Sequence, residues 1–229
     1  MALDQIGLIK TTLIDYPGEV AATMFTPGCN LRCPYCHNPD FVEPPFPEDL
    51  VSLRSVEAFL EKRHSVLGGV CISGGEPLMH PDLPELIEKI HAYGLHVKID
   101  TNGTFPHVLA SLNVDYIAMD VKTSPGNYNA LGFNGDPAVI QESIEYIKAS
   151  GIPHEFRTTV VPGLVQKEDI EALLPLLEGA QQYVLTPFRG GKTLDPDWQE
   201  VLPYPAEFMH SLAVLATEEG IPTRVRNLD

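Results

Sequence analysis

The sequence predicts an α/β fold: a partial, laterally open (β/α)6 TIM-like barrel on a mostly parallel sheet, with residues 1–229 forming a single domain. Three observations lead there. Short β-branched runs alternate with amphipathic stretches along the whole chain, a pattern that calls for parallel strands linked by helices. Six such units can be read, where a closed barrel needs eight. A chain of 229 residues, 44% hydrophobic and 20% charged, also has the size and composition at which α/β barrels fold as one domain.

Strands are expected near Val20–Thr26, Val70–Ser73, His96–Thr101, Tyr116–Val121, Glu155–Val161 and Tyr183–Pro187. All are short and rich in β-branched or aromatic residues. Helical patterns fill the gaps, near Leu50–His64, Leu83–Tyr93, Phe105–Leu112, Ala138–Ala149, Lys167–Leu177 and Pro205–Glu218. Leu83, Leu86, Ile87 and Ile90 show why: spacings of three and four gather them on one helical face. Gly68-Gly69, Gly94 and Gly151 stand where a helix must stop before the next strand. Strand, helix and parallel strand joined in this way make right-handed crossovers. Pro39–Pro47 and Ser124–Asp136 read as surface loops, and no repeat or low-complexity tract interrupts the pattern.

Composition excludes several classes of function. Fifteen basic against 31 acidic residues give a formal net charge of −16, which repels nucleic-acid phosphates and accounts for solubility. No apolar run is long enough to span a bilayer, so no membrane role is expected. Met1–Asp15 lacks a basic segment followed by an apolar stretch, and the expected location is the cytoplasm. Three of the four cysteines fall within eight residues, which points to metal or redox chemistry rather than a disulfide framework.

Those cysteines lie in Gly28-Cys29-Asn30-Leu31-Arg32-Cys33-Pro34-Tyr35-Cys36-His37-Asn38-Pro39, directly after the first expected strand. In this barrel architecture the loops after the strands' C-terminal ends carry the chemistry. An ordinary [4Fe–4S] cluster takes four thiolates, so three in a compact CxxxCxxC loop leave one iron for another ligand. The amine and carboxylate of an amino-acid-like cofactor suit that vacancy. The bland alternative is a Cys3His zinc site using Cys29, Cys33, Cys36 and His37. Zinc ligands normally come from two separated knuckles, and the adjacent Cys36-His37 pair chelates awkwardly.

CxxxCxxC with the aromatic Tyr35 before the last cysteine resembles the signature of the radical S-adenosylmethionine superfamily. The resemblance implies a [4Fe–4S] cluster on Cys29, Cys33 and Cys36, with S-adenosylmethionine chelating the fourth iron. It implies that one electron cleaves the sulfonium and yields a 5′-deoxyadenosyl radical. The hard chemistry then belongs to cluster and cofactor, and no acid–base dyad is needed or evident.

Later motifs match in order. Ser73-Gly74-Gly75-Glu76-Pro77 follows the second strand; two glycines permit close backbone approach, and a plain turn explains them equally well. The resemblance makes Gly74, Gly75, Glu76 and Pro77 the turn that receives the methionine amine. After the third strand, Asp100-Thr101-Asn102-Gly103 is explained by an Asx turn alone. After the fourth, strand alternation turns Asp120 and Lys122 to the same face, where a salt bridge is as good a reading as a ligand site. Glycyl-radical-enzyme activases use an Asp-x-Lys here to meet the cofactor, and positions matching Asp100, Thr101 and Asp120 hold a monovalent cation in some of them. Arg157 in the fifth strand needs a carboxylate, either the cofactor's or one near Glu155, and the resemblance favours the cofactor. Arg189 falls where some activases carry histidine. Cys71, inside the second strand, reads as a core residue.

Two further features resemble activases. Cys36-His37-Asn38-Pro39 is similar to the CHNP extension of enzymes that take hydrogen from a glycine Cα in a large partner. Leu13-Ile14-Asp15-Tyr16-Pro17-Gly18 is similar to activating proteins of anaerobic ribonucleoside-triphosphate reductase, although a β-turn explains Asp-Tyr-Pro-Gly without any function. The implied partners are that reductase and a flavodoxin- or ferredoxin-type electron donor. The alternative is a radical enzyme acting on another glycyl-radical enzyme or on a small metabolite.

Overall fold

The computed structural model describes residues 3–228, so Met1, Ala2 and Asp229 lie outside the described residues. The chain forms two compact units: one comprises the chain up to Asn30 with Asp40–Thr101 and His107–Ile117, the other Leu31–Pro39, Asn102–Pro106 and the chain from Ala118.

In the first unit, β1 (Gln5–Thr12), β2 (Ala21–Thr26), β3 (Val51–Ser52), β4 (Gly69–Gly74) and β5 (His96–Thr101) lie in the order β3-β1-β2-β4-β5. β2, β4 and β5 are parallel, whereas β1 runs antiparallel to both β2 and β3. β2 and β4 are nearly continuous apolar runs because strands of a parallel sheet are covered on both faces. Helices α1 (Leu53–Arg63) and α2 (Leu83–Ala92) supply that cover, followed by the short α3 (Pro106–Ala110). Ser52 caps α1 by accepting from the Ser55 backbone N–H at 3.2 Å. α2 buries Leu83, Leu86, Ile87 and Ile90, the face its spacing predicts.

The register fixes which side chains share a face. Thr23 pairs with Cys71 and Cys71 with Lys98, so all three project from the same side of the sheet. On the level of Gly69, toward the strands' N-terminal ends, Tyr16 fills the space. A Cβ on Gly69 would stand 2.8 Å from the Tyr16 ring, and Tyr16 packs against Tyr116 with centroids 6.0 Å apart. Gly69 is therefore a strand residue whose missing side chain admits Tyr16, a correction to its expected role as a helix stop.

β6 (Tyr116–Asp120) begins with the last two residues of the first unit, and in the second unit its end is followed in sequence order by β7 (His154–Val160), β8 (Tyr183–Pro187) and β9 (Thr223–Val225). α4 (Ala138–Ser150), α5 (Lys167–Leu177) and α6 (Ala206–Glu218) lie between successive strands along the chain. Gly151 ends α4 at φ 74°, the left-handed position that glycine accepts without strain.

All six expected strands and all six helices form, most within one to three residues of their expected ends. Three strands were not read: β1, β3 and β9. β1 mixes Gly7 and Lys10 into an irregular burial pattern, and β3 and β9 are two and three residues long. Ser124–Asp136 is largely exposed, as a surface loop should be, but it contains a 3₁₀ segment, Pro125–Leu131, that buries Tyr128 and Leu131. No helix among the described residues is long and apolar enough to cross a membrane.

Candidate active site

The cysteine loop leaves β2 at Thr26, and its first residues are tied down within the first unit. Gly28 N–H donates to Phe41 O at 2.8 Å, Cys29 N–H to Val42 O at 3.1 Å, and Gly28 O accepts from Glu76 N–H at 2.8 Å. Buried His80 adds a fourth tie, with Nε2 2.8 Å from Pro27 O; since a carbonyl only accepts, Nε2 carries the proton. The glycines of the second motif make this closeness possible. A Cβ on Gly75 would lie 2.0 Å from Gly28 O, and one on Gly74, at φ +115°, would lie 2.3 Å from Thr26 N.

Ser73, Gly74 and Gly75 remain half-buried, while Glu76 and Pro77 are buried beneath them. The Glu76 Oε1 accepts from Leu78 N–H at 3.1 Å and from Thr101 Oγ1 at 2.8 Å. One carboxylate thus holds the turn after β4 to the end of β5. Asp100 pairs with the ammonium of Lys98, which is itself buried and 3.6 Å from Cys71 Sγ. A lysine in the apolar strand β5 carried no motif, so this fixed cation beside Asp100 went unread. Cys71 is fully buried, as expected of a core residue.

The second unit holds the rest of the loop. Arg32 N–H donates to Leu131 O at 2.6 Å, Cys36 N–H to Cys33 O at 3.0 Å, and Pro34 O accepts from Asp195 N–H at 2.9 Å. The Tyr35 ring meets Phe188 edge-on at 6.4 Å and Trp198 at 6.4 Å, and the His37 ring stacks on Phe188 at 5.6 Å and 19°. Phe188 and Trp198 belong to the segment after β8. Neither has a charge or ligand spacing that a motif search could find.

Asp120 sits between two cations. Its Oδ1 accepts from Arg157 Nε at 2.7 Å and its Oδ2 from Lys122 Nζ at 2.9 Å. Burial alone would raise the carboxyl's pKa, but the charges of Arg157 and Lys122 outweigh it and hold Asp120 well below the usual carboxylate range. Asp120 and Lys122 share a face, as expected, and Asp120 is a protein carboxylate beside Arg157. Glu155, the acidic neighbour weighed for Arg157, instead accepts from Arg224 at 3.1 Å and from Arg226 at 2.8 Å. The Tyr128 hydroxyl, buried in the 3₁₀ segment, accepts from Lys122 N–H at 3.1 Å.

At the ends of β7 and β8 a cavity of about 290 Å³ brings His37 and Arg189 together with Thr159, Thr186 and Asn227. Arg189 donates to Asn227 O at 2.7 Å. Asn102 forms the expected Asx turn, its Oδ1 accepting from Thr104 N–H at 3.0 Å.

The sequence pattern of the radical SAM superfamily matches residues 23–177. The chain belongs to the radical SAM superfamily. Within it, a Methanocaldococcus jannaschii protein named for glycyl-radical enzyme activation is 32% identical over 88% of this chain and 86% of its own length. The pyruvate formate-lyase-activating enzyme of Clostridium pasteurianum is 28% identical over 78% of each chain. This radical SAM enzyme therefore falls in the glycyl-radical-enzyme activating family. SuiB from Streptococcus suis, solved bound to S-adenosylmethionine, superimposes with a TM-score of 0.66 at 14% identity, over 87% of this chain and 48% of that one. That likeness shows the fold alone, the mostly parallel α/β class of partial-barrel type that the sequence predicts.

As a radical SAM enzyme the chain works with a [4Fe–4S] cluster and S-adenosylmethionine. The residues present fit both. Four cysteine thiols occur and none forms a disulfide; Cys29 and Cys36 are half-buried and Cys33 and Cys71 buried. Three of them share one loop, and the Gly74-Gly75 backbone approaches the start of that loop as closely as sterics permit. No three His, Cys, Asp or Glu side chains among the described residues converge tightly enough for a single metal ion.

Proposed function

We propose that this enzyme installs the glycyl radical of an anaerobic ribonucleoside-triphosphate reductase. It would act in the cytoplasm with an electron from a flavodoxin- or ferredoxin-type donor, and with residues 1–229 working as one functional domain. The observation that carries the reading is Cys36-His37-Asn38-Pro39 in a chain related over most of its length to glycyl-radical activating enzymes. The Leu13–Gly18 turn favours the reductase over other partners. In this reading Cys29, Cys33 and Cys36 hold the cluster, and Gly74, Gly75, Glu76 and Pro77 form the turn that takes the methionine amine. Tyr35, His37, Lys122, Arg157 and Arg189 line the remainder of the cofactor, and Asp100, Thr101 and Asp120 are the residues for a monovalent cation.

When bound, the cluster would pass one electron from the donor to the sulfonium of S-adenosylmethionine, so that the pair would supply methionine and a 5′-deoxyadenosyl radical able to take a hydrogen atom from a glycine Cα, leaving 5′-deoxyadenosine and the unpaired electron on the partner. The chain's own contribution is position: a near-attack distance between the 5′ carbon and the glycine Cα, in a site closed to water. Because the glycine is part of another protein, docking must free its loop from the partner's own fold.

Anaerobic incubation of the reduced enzyme with S-adenosylmethionine and the reductase encoded by the same organism should give a glycyl doublet in electron paramagnetic resonance. Cofactor cleavage that responds only to a small metabolite would overturn the assignment of a protein partner. Cys33→Ala should abolish cofactor cleavage, and undiminished turnover would remove the cluster from the reading.

A further inference from the structure

Among the described residues, one buried side-chain oxygen or nitrogen has no hydrogen-bond partner: the Tyr35 hydroxyl. Tyr35 is 4% exposed, so water does not serve it freely. Leaving such a group unsatisfied costs about 1–3 kcal/mol, and buried tyrosines normally find a partner. The two other deeply buried tyrosines of the same unit do. Tyr128 Oη accepts from Lys122 N–H at 3.1 Å, and Tyr183 Oη donates to Thr158 Oγ1 at 2.8 Å.

Aromatic rings flank Tyr35. Phe188 stands edge-on to its ring at 81° and Trp198 lies at 56°, both with centroids 6.4 Å away. The backbone beside it is pinned by the bond from Asp195 N–H to Pro34 O at 2.9 Å. The orphaned hydroxyl lies within the electrostatic influence of Cys33, Lys122 and Asp120, in the part of the chain assigned above to the cofactor. A packed, buried ring holding an unsatisfied donor among such groups is arranged for a ligand atom that arrives later.

We propose that the Tyr35 hydroxyl donates a hydrogen bond to an acceptor atom of bound S-adenosylmethionine, making Tyr35 a binding residue through its oxygen as well as its ring. This rests on the cofactor reading above. The test is Tyr35→Phe in cluster-loaded protein, titrated with the uncleavable S-adenosylhomocysteine and, separately, with 5′-methylthioadenosine, which lacks the amino-acid end. The S-adenosylhomocysteine Kd should rise about tenfold at unchanged iron content. The ligand-free variant should unfold at the same or a higher temperature than the parent, because an unsatisfied group has been removed. A matching loss for methylthioadenosine puts the acceptor on the nucleoside; a loss confined to S-adenosylhomocysteine puts it on the amino-acid end.

A Kd within about twofold of the parent overturns the inference. So does a fall in unfolding temperature together with affinity, since the hydroxyl would then be serving the fold. If the parent itself fails to bind S-adenosylhomocysteine, it is the cofactor reading that fails instead.

Discussion

The Lys98 ammonium lies within an apolar sheet, and its two contacts show how the charge is tolerated. Its side chain is 2% exposed, is paired with Asp100, itself 15% exposed, and is 3.6 Å from the Cys71 sulfur. Lys98→Met takes away the ammonium that neutralises Asp100 within the sheet, so it should lower unfolding stability by about 1–3 kcal/mol in urea titration, and an unchanged midpoint would mean the pair contributes nothing. Asp120 makes a different prediction, because its side chain keeps 30% exposure and its pairs are partly screened by solvent. Its folded pKa lies below the unfolded value of roughly 3.9. The stabilisation is therefore complete above that value and fades as pH falls below it. Asp120→Asn should flatten the decline of the unfolding temperature between about pH 5 and pH 2, and an unaltered slope would mean the pairing contributes nothing to stability.

At the scale of elements, the Asp169 carboxylate does what no motif announced. It accepts from Thr123 at 3.2 Å, Ser124 at 2.5 Å and Asn127 at 2.7 Å, and from Gln166 N–H at 3.0 Å, where it also completes the capping box of α5. One side chain joins the turn after β6, the 3₁₀ segment and a helix start. Asp169→Ala should cost about 2–4 kcal/mol and speed hydrogen exchange selectively in residues 123–131. The same comparison shows what was legible in the sequence. α2 and α4 were readable because apolar spacing is a local property, and Cys29, Cys33 and Cys36 drew notice because all three fall within eight residues of one loop. The 3₁₀ segment inside the exposed Ser124–Asp136 stretch was not legible because it is held by a carboxylate more than forty residues away. Phe188 and Trp198 stayed invisible as neighbours of Tyr35 for the same reason: packing across sequence distance leaves no spacing to read. Gly75 lies between these cases, since the motif marked it but only the 2.0 Å approach to Gly28 O explains it. Gly75→Ala should displace the start of the cysteine loop and lower iron incorporation at least severalfold, as overpacking against backbone leaves nothing flexible to yield.

For the whole molecule, a net charge of −16 works against polyanions at any orientation. The protein should pass a heparin column unretained at about 0.1 M salt, and retention would reveal a local basic surface that the total conceals. The clamp on Glu155 also bears on how the chain is made. That carboxylate is 1% exposed on β7, and its guanidinium partners come 69 and 71 residues later in the chain. At roughly 5–20 residues per second, the ribosome releases Arg224 and Arg226 about 3–14 s after Glu155. Until then β7 has an ionic group it cannot bury without penalty. The nascent second unit should therefore stay protease-sensitive during synthesis, locking only when its final strand emerges from the exit tunnel.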